Sequence, residues 1–563
     1  MTDGTLKRFG PLSKAEITVV GLISNGTFDL VGSGPMPEAG DEDRRVRAEL
    51  IRFLLLGGPD APVMHEKGLR IGSAWITGTL DLEGCRIPRD IGLLDCRFDA
   101  TPVLRSGVVD TLSFDGSHLP GFAADRLEAR GDLLFRSSTV EGPISLRGGR
   151  IGGDLNFDGA TLNHASDRAL SAERISVRGS ALFRGVTVRG ALALPGSRIG
   201  GDLDLLGANI ERPGGFAVEA DSADVQGDVS LRMANIVGTV SLVTARVGGD
   251  VHLSGARISH AGETAVNLNR TTAKGAFFLR EGAHIDGVLS LSGASLGAIV
   301  DDAACWPAPG NLNLNRCLYE AVLGAPVDAN QRLDWLSRQD PVRWGEDFWP
   351  QPYEQLARVL GDMGHNSDKR RVRMEKERLQ RRARRRRTPS RALRLFLLLQ
   401  DTLVGLTTGY GRLPLLALIW IVMFWLMGAG YFTFLEAERA LRPNSPVVLR
   451  SPEWVLCSVP IGQTVFLPSV AQDREGRAAP GESQLDCFYR QPEAGSYPKF
   501  SATMLSADGI FPGLGSGQKD FWSPDTRVTI GYIGKVFAYF QTLAGLALGL
   551  LAVAGFSGLV KSN

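Results

Sequence analysis

At 563 residues the chain is too long for one ordinary core, so several structural regions are expected. Its 62 basic and 61 acidic side chains nearly cancel, so overall charge names no partner and the information lies in where charges cluster. Glycine reaches 68 residues without a collagen triplet or a Ser/Gln-rich tract, which excludes those two classes and predicts glycine in turns.

The opening residues Met1 to Arg8 lack a basic region followed by an apolar core and a cleavage site, so no secretory signal is read and the N-terminal region is expected in the cytoplasm. Asp43 to Leu55 carries apolar residues at helical spacing and is predicted as an amphipathic capping helix within an N-terminal helical cap, residues 1–68.

An internal repeat follows. Arg150-Ile151-Gly152-Gly153-Asp154-Leu155 returns from Arg198 and, as Arg246-Val247-Gly248-Gly249-Asp250-Val251, from Arg246, at offsets of 48. A finer spacing of eleven links Gly131, Gly142 and Gly153, then Gly179, Gly190 and Gly201, then Gly227, Gly238 and Gly249. Leu155 and Phe157 alternate with polar neighbours and are expected to point inward, as are Leu203 and Val251. Gly153 and Gly159 are placed at sharp bends, with Ala160 in a tight corner. Strands this short cannot bury a face alone, so the units must stack. The reading is a mainly β protein: a right-handed parallel β-solenoid over residues 69–300, followed by short helices and a two-helix transmembrane region. Each 48 residues is read as two coils of roughly 24, about 4.8 Å apart, giving about ten coils from Leu69 to Leu296.

Residues 301–412 read as a helical linker in which Trp335, Trp344 and Trp349 cluster. A helix from Tyr353 to Met363 stops at Gly364, and Asn366 or Ser367 starts the next. That helix ends in Arg381, Arg382, Arg384, Arg385, Arg386 and Arg387, a basic cluster directly ahead of a Leu-rich amphipathic stretch, Ser390 to Gly405. Leu413 to Phe434 is uncharged and long enough to span a bilayer, as is Val536 to Val560, giving transmembrane helices at 413–435 and 536–560. The position of the arginines favours anionic headgroups and the positive-inside rule over nucleic acid. The N-terminal region and the C-terminus are then cytoplasmic and residues 436–535 periplasmic. There Cys457 and Cys487 either pair or stay as thiols, whereas Cys85, Cys96, Cys305 and Cys317 are expected reduced.

Thr407-Thr408-Gly409-Tyr410-Gly411 resembles a potassium-channel filter but precedes the first membrane helix, so it reads as a Gly turn ahead of Pro414. The stretch holding Gly513, Gly515, Gly517, Gln518 and Asp520 does lie between the helices. It reads first as an ordinary periplasmic loop, with a short re-entrant segment as the alternative. Gly545 and Gly549 form a small-residue face beside Gln541, which must face protein, water or a sister subunit, so packing and homo-oligomerisation both remain open. Asp154, Asp202 and Asp250 recur in register but are read as solvated strand-edge residues with a turn hydrogen bond, and His252 and His260 complete no ligand or triad pattern. No cofactor site, metal site or catalytic residue is predicted.

The coil Gly152 to Ala160, the Pro352-Tyr353-Glu354-Gln355-Leu356-Ala357 helix start and Gly517-Gln518-Lys519-Asp520-Phe521-Trp522 together resemble a family of bacterial membrane-associated solenoids related to pentapeptide-repeat proteins, over almost the whole chain. The strict five-residue pattern is absent. Members are often labelled membrane-associated oxidoreductases, a label that implies no catalytic residue here. The resemblance implies a bacterial inner-membrane protein. The expectation is a scaffold or sensor binding an unknown cytoplasmic protein, not an enzyme, with a small oligomeric ion channel as the alternative and a redox enzyme third.

Overall fold

The computed structural model describes residues 6–26, 29–30, 36–58, 60–408, 414–458, 477–511, 513 and 515–556. The chain divides between Lys376 and Glu377 into two compact units, which are described separately.

The first unit is a parallel β-solenoid of about 12 turns. One coil runs through Ser176–Val177, Ala181–Leu182 and Thr187–Ala193 and returns at Arg198, so each half-coil, 176 to 187 and 187 to 198, is eleven residues long. This half-coil is the eleven-residue glycine spacing. Ser176 pairs with Arg198, an offset of 22, but Arg150 pairs with Ser176, an offset of 26. The 48-residue repeat is therefore not two equal coils of 24. A basic coil of 22 alternates with one carrying four extra residues, because the strands Thr161–Ser171, Asn209–Glu219 and Arg257–Asn267 have 11 residues where Thr187–Ala193 and Asn235–Ser241 have 7. The excess is absorbed as register shifts between Asn163 and Leu170 and at the matching places above. Earlier coils have the short form only, with offsets of 20 to 22, as in Val108 on Glu128 (20), Leu112 on Leu133 (21) and Leu133 on Leu155 (22). That is why the longer phase fades toward the N-terminus.

Side chains that point inward stack as their strands do. Leu155, Leu203 and Val251 are buried, and Phe114, Phe135, Phe157 and Phe183 form a continuous ladder with centroids 5.2, 4.9 and 5.3 Å apart. Leu205, Leu231, Leu253 and Leu279, also buried, carry the same column onward. Gly159 does sit at a left-handed corner, at φ 67°, with buried Ala160 after it.

The Gly-Gly-Asp motif does lie at a bend, as expected, but close approach between coils is what requires the glycines. A Cβ on Gly152 would lie 2.0 Å from the Arg130 carbonyl oxygen of the preceding coil, and one on Gly153 1.9 Å from Asp132 Oδ1. The first glycine lets backbones approach and the second makes room for the carboxylate below. Those carboxylates form a ladder between coils: Asp132 accepts from Asp154 N–H (2.8 Å), Asp154 from Ser180 N–H (2.8 Å), Asp202 from Asp228 N–H (2.8 Å), Asp228 from Asp250 N–H (2.7 Å) and Asp250 from Ala276 N–H (2.6 Å). The aspartates thus bond the next coil rather than their own turn.

Both ends of the solenoid are covered. At the N-terminal end α1 (Lys14–Leu22) and α2 (Ala48–Leu55) pack over the first coil. The predicted helix from Asp43 is shorter than expected because Arg45–Arg47 pairs as a strand with Trp75–Thr77, burying Val46. Buried Glu16 joins α1 to that strand through the Arg47 guanidinium (2.7 Å) and the Arg47 and Ser13 amides (3.0 Å each). At the other end coils continue to Leu318–Val322, and α3 (Ala329–Ser337) and α4 (Gln351–Asp362) close the core. There Arg332, fully buried, pairs with Asp301 at 2.6 Å between Trp306 and Trp335. Gly364, at φ 89°, ends the α4 turn before α5 (Asn366–Arg387).

The second unit contains the end of α5, α6 (Arg391–Thr408) and α7 (Pro414–Ala437). Then come α8 (Pro446–Leu449), α9 (Pro452–Cys457), α10 (Gln484–Arg490), α11 (Ala502–Ile510), α12 (Gln518–Phe521) and α13 (Thr529–Phe556). Stretches Leu416–Ala437 and Thr529–Val553 are long and apolar enough to cross a membrane. The second begins seven residues before the predicted Val536 and contains Lys535, whose Nζ is satisfied by Ser523 Oγ (3.0 Å). Between them a small domain packs Trp454, Phe488 and Trp522 around a disulfide, Cys457–Cys487, and pairs Leu441–Pro443 with Trp522–Pro524.

Candidate functional site

The residues singled out between and within the two apolar helices converge on α11. This helix is started by Ser501, whose Oγ accepts from Met504 N–H, and it packs against both α7 and α13. Ser506 Oγ donates to the Trp425 carbonyl (2.8 Å), and Gln541 Nε2 donates to Ser506 Oγ (2.7 Å) and the Phe424 carbonyl (3.1 Å). Trp425 and Gln541 lie near the middles of the two apolar stretches, so one polar node ties three helices at that level. Gln541 is 0% exposed, and its Oε1 has no donor among the described residues. Glycines make the approach possible: a Cβ on Gly428 would lie 2.1 Å from Gln541 Nε2, and one on Gly545 2.4 Å from the Ile510 carbonyl oxygen. A Cβ on Gly549, by contrast, would meet nothing within 4 Å among the described residues, so of the two glycines it is Gly545 that makes a close approach there.

The glycine-rich stretch returns the chain from α11. A Cβ on Gly513 would meet nothing within 4 Å among the described residues, and Gly515 (φ 64°) and Gly517 (φ 79°) adopt left-handed turns ahead of α12. Gln518 braces this return, accepting from Ser501 N–H and donating to the Lys499 carbonyl, both at 3.1 Å. Asp520 is exposed and stands apart from the node. The residue that sequence reasoning missed is Asp508, 5% exposed, which accepts from Ser516 N–H (3.0 Å) and Lys519 N–H (3.4 Å) and so fixes the loop to α11. Its signal was available, as the single charge between Lys499 and Lys519. The filter-like glycines Gly409 and Gly411 lie outside the described residues.

The basic cluster divides. Arg381 donates to Asp401 Oδ1 (2.9 Å) and Arg385 to Asp401 Oδ2, while Arg382, Arg384, Arg386 and Arg387 are exposed. Asp401, 7% exposed, was also overlooked, although it is the lone carboxylate of a Leu-rich stretch.

On the solenoid, Asp228, Asp250 and His252 bring ligand atoms within 4.8 Å of one another. Asp228 Oδ1 and Asp250 Oδ1 are already engaged by the coil ladder, and His252 stacks on Phe278 with centroids 4.2 Å apart. His260 is turned to Thr239 (2.7 Å). Burial pushes the Cys96 and Cys317 thiols up to about 12, which makes them packing groups rather than nucleophiles.

Fold and site together define a parallel β-solenoid protein with two candidate membrane-spanning helices. Comparison with protein-family models, curated proteins and solved structures finds no match for this chain.

Proposed function

We propose that the chain is a membrane-anchored scaffold or sensor, not an enzyme, whose solenoid offers a rigid surface to a cytoplasmic protein while α7 and α13 hold it in a bacterial inner membrane. The observation that carries this reading is that the Gln541 amide nitrogen is satisfied inside one chain, by Ser506 Oγ and the Phe424 carbonyl. The large residues that α13 exposes, among them Val536, Tyr539, Phe540, Leu543, Leu546 and Leu550, are of the kind lipid accepts. An anchor needs no more than that, whereas a pore needs polar groups on a shared axis. The disulfide between the helices, set against the free cysteines 85, 96, 305 and 317 of the first unit, supports an oxidising compartment for 438–528 and a reducing one for the solenoid. The membrane-associated relatives of pentapeptide-repeat proteins are the family that this architecture best fits.

Two measurements test the reading. Reporters fused at Gly40 and after Asn563 should both be cytoplasmic and one at Gly476 periplasmic; a cytoplasmic signal at Gly476 defeats the orientation. The purified chain in planar bilayers should conduct no more than protein-free bilayers. Discrete ion currents that vanish in Gln541→Leu would replace the anchor with the channel.

A further inference from the structure

Helix α6 is exposed along most of its described length, from Arg391 to Gln400. Its Leu393, Leu395, Phe396, Leu398 and Leu399 are between 48% and 63% exposed. At about 100° per residue, Leu393, Leu395, Phe396 and Leu399 fall on one side of the helix together with Gln400, and Arg391, Arg394 and Asp401 on the other together with Leu398. The polar side is engaged. Asp401 takes both Arg381 and Arg385, one helical turn apart on α5, and Arg394 Nη2 donates to the Thr388 carbonyl at the bend (2.9 Å). These contacts fold the end of α5 and α6 into a hairpin. They also turn the 381/385 face of α5 inward, which leaves Arg382, Arg384 and Arg386 exposed on its other sides.

A face of large apolar residues flanked by exposed arginines matches the chemistry of an anionic bilayer surface, apolar below the headgroups and phosphate-rich at them. Position agrees. Only residues 409–413 separate α6 from α7, and five residues span at most about 18 Å, so α6 ends close to where the candidate span begins. We propose that the α5–α6 hairpin is an interfacial membrane-binding element, with α6 lying in the headgroup region on its Leu395/Phe396/Leu399 face and Arg382, Arg384 and Arg386 binding lipid phosphates. This rests on the anchored reading above and extends it, because the bilayer would then set the direction in which α5 leaves the membrane.

The test uses the full chain with Cys85→Ser, reconstituted in nanodiscs, carrying one fluorescent cysteine label at a time: Leu395→Cys, Leu399→Cys, Arg391→Cys, and Leu426→Cys on α7. Quenching by brominated acyl chains reports contact with lipid, and quenching by iodide reports contact with water. In discs containing phosphatidylglycerol, the labels at 395 and 399 should be quenched by the bromolipid and that at 391 by iodide. Changing Arg382, Arg384 and Arg386 to Gln should lower the bound-to-free equilibrium constant of α6 on the bilayer roughly fivefold per arginine removed. The label at 426 separates the two readings. If it meets lipid while 395 and 399 meet iodide, the interfacial element is wrong and the anchor stands; if 426 also meets iodide, both fall. Protection of 395 and 399 from both quenchers would mean that protein covers α6, and would equally overturn the proposal.

Discussion

Gly153→Ala and Asp132→Ala form a double-mutant cycle that tests whether the Gly-Gly-Asp motif exists to seat a carboxylate ladder. In Gly153→Ala the new Cβ would lie 1.9 Å from Asp132 Oδ1 and 3.1 Å from Asp132 N, so the carboxylate must leave its place and the coils must separate slightly. Overpacking of this kind costs about 1–3 kcal/mol, and loss of the 2.8 Å bond to Asp154 N–H adds to it. Asp132→Ala alone removes only that bond, at about 0.5–1.5 kcal/mol, because the site is half-buried and water can replace the acceptor. In the double variant the Oδ1 clash is gone and the bond has been counted once. Its total cost should therefore fall short of the sum of the two single costs by about 1–2 kcal/mol. Thermal and denaturant unfolding of the full chain in detergent, followed by the β signal in circular dichroism, gives the three values. Additive costs, or a Gly153→Ala variant as stable as the parent, would show that the glycine serves the turn and not the ladder.

Other perturbations probe the remaining packing. Leu203→Asp places a carboxylate at an inward position that is 1% exposed and should cost several kcal/mol, roughly 3 or more, whereas Asp202→Ala should cost about 1 kcal/mol by the same unfolding assay; equal losses would reverse the inward and outward assignment. Gly545→Ala should destabilise the helical unit by about 1–3 kcal/mol, and Gly549→Ala should stay within about 0.5 kcal/mol, because only the first Cβ meets the Ile510 carbonyl. For Glu16, burial by itself raises the pKa, but the Arg47 guanidinium and the Arg47 and Ser13 amides outweigh it and hold the carboxyl below its ordinary range. Its stabilisation of the N-terminal cap is therefore present above the ordinary carboxylate pKa and is lost as pH falls through the lowered folded value. Hydrogen exchange of α1 amides should accelerate in that acid window in the parent and lose that dependence in Glu16→Gln; an unchanged profile would remove Glu16 from the account.

Much of the architecture was legible in the sequence because a solenoid is built from nearest-neighbour contacts that recur. Equivalent residues such as Leu155 and Leu203 occupy equivalent environments, so periodicity by itself determined the parallel coils and their inward columns. The two apolar stretches were legible for a similar reason, since length and absence of charge need no tertiary partner. The coil length was not legible. Repeat arithmetic yields only the 48-residue sum of a coil of 22 and a coil of 26, and the division depends on where the four extra residues leave the ladder, which the backbone pairing between coils decides. The role of Gly153 was likewise hidden, because the atom it avoids belongs to Asp132, one coil away. The polar node is the extreme case: Phe424, Ser506 and Gln541 are far apart in the chain, and no local pattern marks Ser506 as the partner of a glutamine 35 residues on. Gln541 announced its need for a partner through the cost of a bare amide among apolar residues, but only the packing of α11 between α7 and α13 decided which groups meet it.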